Sequence, residues 1–171
     1  NQEGLRQYFR KKVEAEDIEY VGTKRERIFQ TTYKFVQIEH ETRSINVLLN
    51  TEVDNLTSRA VTHLRKSLYP VLVVSPGTVK NQALIDEGLA DSVNIGELID
   101  LDLEGELPKD YITNRIEKIS RAVEQKAAQN ARNSFENLPL MVASPQSYTG
   151  EQFERELFHI FYQIVSNVEQ W

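Results

Sequence analysis

The chain has no cysteine, which excludes a disulfide framework, a thiolate nucleophile and a thiolate metal site. Compartment is therefore left to the default, the cytoplasm. Long apolar runs are also missing: none approaches the roughly 20 residues a membrane helix requires, and the opening Asn1-Gln-Glu-Gly has neither the basic nor the apolar region of a secretory signal. Methionine occurs once, at Met141, so the chain reads as processed or as a segment of something larger. The 7 glycines assemble no P-loop and no G-x-G-x-x-G, and the chain holds neither a G-x-S-x-G elbow nor an H-E-x-x-H. Basic residues are in the minority, 20 against 26 acidic, for a formal charge of -6. That balance argues against a dedicated nucleic-acid binder, whose phosphate contacts leave a net basic signature. It leaves room only for a local basic patch, around Arg6, Arg10, Lys11 and Lys12 or around Lys24, Arg25 and Arg27, and solvated faces account for both groups.

What is present suits one domain over residues 1–171. A hydrophobic share of 40% and a charged share of 27% supply one core without the signature of disorder. Leu5, Tyr8, Phe9 and Val13 recur at helical spacing. From Ile18 to Leu49 β-branched and aromatic residues alternate with polar ones, which predicts two or three strands (18–21, 28–38, 45–49) and a hairpin turn near His40 to Ser44. Thr51-Glu-Val-Asp54 opens a helical pattern through Val53, Leu56, Ala60, Leu64 and Leu68 that feeds a buried strand, Val71 to Val74. A shorter helix is expected over about 78–87, with Gly88 at its left-handed cap. Residues 92–103 read as either a strand or a loop. Pro108 opens the longest helix, expected over 108–137, whose apolar stripe runs from Ile112 to Leu138. Thr149-Gly-Glu-Gln152 forms a capping box ahead of a final helix over 149–170.

The sequence also contains an echo: Val71-Leu-Val-Val-Ser-Pro76 and Leu140-Met-Val-Ala-Ser-Pro145. Each reads as a short buried strand broken by a Ser-Pro turn that leads into a helix. Together these elements predict an α/β fold, with α+β as the alternative: a mixed sheet with an amino-terminal antiparallel hairpin, parallel strand-helix-strand units and helices packed on the sheet. Strands 71–74 and 140–143 are expected to lie parallel in that sheet, with helix 108–137 crossing between them.

Ligands of open α/β sheets sit beyond the carboxyl ends of parallel strands. Ser75, Gly77, Thr78, Ser144, Ser147 and Thr149 are therefore the candidate contacts for a small anionic or phosphate-bearing ligand, although helix capping alone explains the hydroxyls. Asp100-Leu-Asp102-Leu-Glu104, if extended, places three carboxylates on one face, a donor set suited to a divalent cation; a solvated acidic edge has the same letters. His40, His63 and His159 are scattered. The order helix, hairpin, strand-helix-strand resembles the core of restriction-endonuclease-like nucleases, but only in element order. That family needs an acid and then Glu-x-Lys on consecutive strands, where this chain has Ile45-Asn-Val-Leu-Leu-Asn-Thr-Glu52 without a lysine, so an active nuclease of that type is disfavoured.

No cofactor is implied. The expected function is a non-enzymatic interaction or assembly domain that meets a protein partner or another copy through apolar helix faces, with Phe158, Phe161, Tyr162, Val165 and Trp171 at the interface. The alternative is a binding, phosphotransfer or hydrolytic site for the anionic ligand near Ser75 and Ser144, with or without a divalent metal.

Overall fold

The computed structural model describes residues 2–49, 58–66, 68, 70–75 and 90–168. Within it the chain forms two compact units, Asn1–Ala122 and Val123–Trp171. The first is an α/β unit around one five-stranded sheet. Helix α1 (Gln2–Ala15) precedes strands β1 (Glu19–Ile28), β2 (Thr31–His40) and β3 (Arg43–Leu49); helix α2 (Ser58–Lys66), β4 (Val71–Ser75), β5 (Ala90–Asn94) and helix α3 (Ile95–Glu104) follow. Helix α4 (Tyr111–Ala143) begins in this unit and continues into the second.

The strands lie in sequence order, β1-β2-β3-β4-β5. β1, β2 and β3 form an antiparallel meander, while β4 runs parallel to β3 and β5 parallel to β4. The β2–β3 turn falls at Glu41 and Thr42, as the alternation predicted. The β1–β2 turn falls at Phe29 and Gln30, inside what reads as one strand over 28–38. Phe29 takes a positive φ of 56° there, a conformation for which its sequence gives no glycine or asparagine signal. The β1 ladder slips between Tyr20 and Gly22, where the glycine's φ of 151° admits the irregularity.

Burial follows position in the sheet. β4 is buried at every residue and β3 from Ile45 to Leu49, as central strands covered on both faces must be, whereas edge strand β1 is mostly exposed. On one face Ile28, Tyr33, Phe35, Leu48, Val71, Val73 and Ala90 form a cluster with Ala60 and Leu64 of α2. Alternation puts Val36, Val47, Leu72 and Val74 on the other, and these too are buried. Phe9 and Val13 of α1 and Ile112, Ile116 and Ile119 of α4 are among the other buried apolar residues of this unit.

Two expectations are corrected here. Leu140 to Ala143 is no strand; it is the last turn of α4, so the crossover from strand 71–74 to strand 140–143 does not exist. Pro139 sits inside that helix rather than ending it. Ser134, Leu138 and Met141 continue the i, i+4, i+7 stripe across the proline, and Ser134 and Met141 are buried, so packing holds the backbone helical where the proline's missing N–H argues for a break. Residues 92–103 are neither a strand nor a loop throughout: β5 ends at Asn94 and α3 begins at once. The Asn94 side chain accepts hydrogen bonds from the backbone N–H groups of Gly96 and Glu97, at 3.0 and 3.3 Å, and so caps the helix.

The second unit is a helical hairpin: the distal part of α4, a single 3₁₀ turn (Pro145–Ser147) and helix α5 (Gly150–Val168). The predicted capping box forms. The Thr149 N–H donates to Gln152 Oε1 at 2.7 Å and the Gln152 N–H donates to Thr149 Oγ1 at 3.2 Å.

Candidate interaction surface

The candidate strand-end residues fall in different parts of the chain. Ser75 ends β4, paired with Asn94 across the parallel ladder, and is only 3% exposed. Gly77 and Thr78 lie outside the described residues, as do the predicted helix 78–87 and its cap Gly88. Ser144 and Ser147 lie at the 3₁₀ turn and Thr149 is the amino cap of α5, all in the hairpin unit rather than at a strand end. The premise that paired the two Ser-Pro corners, two parallel strands, fails with the helical assignment of residues 140–143.

The acidic run is corrected as well. Asp100, Asp102 and Glu104 are helical, not extended, so a period of two no longer sets them on one face. Asp102 pairs with Lys12 at 2.6 Å. Among the described residues no group of three His, Asp or Glu side chains is placed to hold a metal ion. Beside this pair lies an open hollow of about 650 Å³, with Glu16, Asp17, Lys109 and Asp110 on its wall. Its charges are mixed, and Glu16 is already engaged with the start of α4.

The hairpin has a different character. Along α4, Val123, Ala127, Ala131, Ser134 and Met141 are buried at spacings of three, four and seven. On α5, Glu156 and Ile160 are buried. A polar contact joins the helices: the Ser134 hydroxyl, fully buried, donates to Glu156 Oε2 at 2.6 Å. One turn on, His159 Nδ1 is buried with no hydrogen-bond partner among the described residues, and burial pushes the imidazole below its ordinary range, with Glu156 opposing that shift and Arg155 adding to it.

Outside this seam part of the hairpin surface is apolar and exposed. Phe158, Phe161 and Val165 are 45, 59 and 54% exposed. They recur at i, i+3 and i+7, a second stripe beside the one that faces the seam. Phe153 and Ile164 flank it and are also exposed. Tyr162 is half-buried, its ring 5.8 Å from that of Phe158. Trp171 lies outside the described residues. At the turn Met141, Val142, Pro145, Tyr148 and Phe153 line a mostly apolar hollow of about 430 Å³. No protein-family model, curated protein or solved structure matches this chain. The surface must therefore be read from its own chemistry.

Sequence reasoning identified the outer stripe of α5 but missed other exposed apolar residues of the hairpin. Phe135, Leu140 and Val142 of α4 are exposed too; the first falls within the apolar stripe expected from Ile112 to Leu138 and the others within the expected strand 140–143. Their helical phase relative to Ser134 and Met141 was the available signal: each lies one residue from a buried position, about 100° round the helix.

Proposed function

We propose that this chain is a non-enzymatic interaction or assembly module that works through the apolar outer face of its α4–α5 hairpin. The observation that carries the reading is the exposed stripe of Phe158, Phe161 and Val165. Single exposed apolar residues are ordinary, but contiguous ones on a helix face mark contact surfaces. Aromatic residues at the centre of the stripe fit the composition of interface cores. A two-helix unit has one internal seam, so its outer faces become dry only when another surface covers them.

The test combines sedimentation of the full chain with uptake of a hydrophobic fluorescent dye, each repeated on the double variant Phe158→Ser, Tyr162→Ser. The reading expects either an oligomer that the variant weakens, or a monomer whose dye uptake the variant lowers, with unchanged circular dichroism in both cases. A monomer that takes up no dye would sink it.

A further inference from the structure

We infer that the occupant of this face is a second copy of the same chain, packed so that α5 runs antiparallel to its twin and the two hairpins form a four-helix bundle. The inference rests on the interaction reading above and names its partner. Three observations favour a twin over an unrelated protein.

The first is symmetry within the stripe. An isologous contact between antiparallel helices places residue i of one copy opposite residue j of the other, with i + j constant. The exposed apolar residues of α5 meet that condition to within one position about the middle of the helix: Phe158 falls opposite Phe161 of the twin, and Phe153 opposite Val165 or Ile164. A surface shaped for an unrelated partner has no need of this balance.

The second is charge. Glu151, Glu154 and Glu156 outnumber the single cation Arg155 in the first half of α5, which is therefore net acidic, and no charged residue occurs from Ile160 to Val168. Antiparallel packing sets each acidic half against a neutral one. Parallel packing would stack Glu154 on Glu154 of the twin, a like-charge juxtaposition that interfaces avoid.

The third is area. Phe153, Phe158, Phe161, Ile164 and Val165 are between 37 and 59% exposed. With each aromatic side chain able to bury roughly 150–250 Å², the face offers on the order of 400 Å² of apolar surface. A standard interface takes about 800 Å² from each partner, a little over half of it apolar. One copy thus presents the apolar share that one side of a stable dimer uses.

The experiment is sedimentation equilibrium of the full chain over the micromolar range, with Phe161→Asp as the disrupting variant and Leu103→Asp as the control, because Leu103 is an apolar residue 81% exposed on α3 of the sheet unit and no part of the α5 stripe. A dimer is expected that Phe161→Asp weakens by about 30-fold or more and Leu103→Asp leaves alone. Orientation is read separately: in a chain without cysteine, an equimolar mixture of Phe158→Cys and Phe161→Cys should cross-link faster than either variant by itself. A monomer throughout the range, a dimer indifferent to Phe161→Asp, or variants that cross-link fastest with themselves would each overturn the inference. A monomer whose face still takes up dye would discard the twin while leaving the interaction reading intact.

Discussion

Glu16, just past the end of α1, caps the start of α4 at Thr113, 97 residues further along the chain. Its carboxylate accepts from the backbone N–H groups of Ile112 (2.9 and 3.0 Å to the two oxygens) and Thr113 (2.8 Å), and from the Thr113 hydroxyl at 3.0 Å. Two of the amides that an α-helix leaves without an internal partner are thereby satisfied by an anion at the positive end of the helix dipole. The contact also ties the amino-terminal element of the sheet unit to its longest helix. Removing the carboxylate with Glu16→Ala should cost about 1–2 kcal/mol, read as a lower urea midpoint at unchanged slope. An unchanged midpoint would show that solvent caps α4 equally well.

Gly105 offers a cleaner test, because only its backbone is at stake. It terminates α3 in the left-handed region, at φ 72°, with its N–H bonded to the Asp102 carbonyl at 3.3 Å. A Cβ at this position would meet nothing within 4 Å. Gly105→Ala should therefore destabilise the chain by about 1 kcal/mol through strain alone. Gly105→Asn should recover part of that loss in the same denaturation series, since asparagine tolerates this conformation better.

These two caps mark the limits of what the chain discloses about itself. The capping box at Thr149 is local, four consecutive residues, and it was legible. So was the β2–β3 hairpin, from the alternation over 31–38 and the polar turn after His40, whereas the β1–β2 turn at Phe29 and Gln30 was not. Glu16 acts on residues 96 and 97 positions away, and no short pattern encodes that distance. Leu140 to Ala143 failed for a different reason. A short apolar run beside a proline carries no period of its own, and only the phase set upstream by Ser134 and Leu138 shows it to be helix. The acidic run 100–104 erred in the same way: Asn94 with Glu97 three residues later was a helix-start signal that outranked the apparent alternation. The outer stripe of α5 was visible because amphipathic width is a property of one helix, while the ligand reading at Ser75 and Ser144 depended on a pairing of strands that one sequence does not fix.

The Ser134–Glu156 contact should behave as a coupled pair. Ser134 is fully buried and Glu156 7% exposed, so truncating the serine strips a buried carboxylate of a donor at 2.6 Å. The expected cost of Ser134→Ala is about 1–3 kcal/mol, the penalty of an unsatisfied polar group rather than the net worth of the bond. Adding Glu156→Leu to Ser134→Ala should restore most of the loss, since an apolar pair of similar shape owes no desolvation. A double-mutant cycle on thermal unfolding measures this, and strictly additive effects would show that the two residues are not coupled.

His159 should make the hairpin sensitive to mild acid. Burial is the main cause of its depressed pKa, with the Arg155 cation adding to the effect and the Glu156 carboxylate opposing it. The folded state thus holds the imidazole neutral at pH values where the unfolded chain, titrating near 6.5, has begun to take up a proton. An unfolded state that binds more protons gains as pH falls, so stability declines as the pH drops from about 6.5 toward the lower folded-state value and levels off below it. Replacing the imidazole with the non-titrating amide of His159→Gln should flatten that slope without changing the response above neutrality. The charged groups facing this position, Arg155 and Glu156, remain in the variant, so any slope they contribute persists and can be subtracted. Imidazole resonances followed by NMR in the intact chain give the direct check: a folded-state midpoint at or above the unfolded value would remove the cause, and a pH slope that survives His159→Gln would assign it to another group.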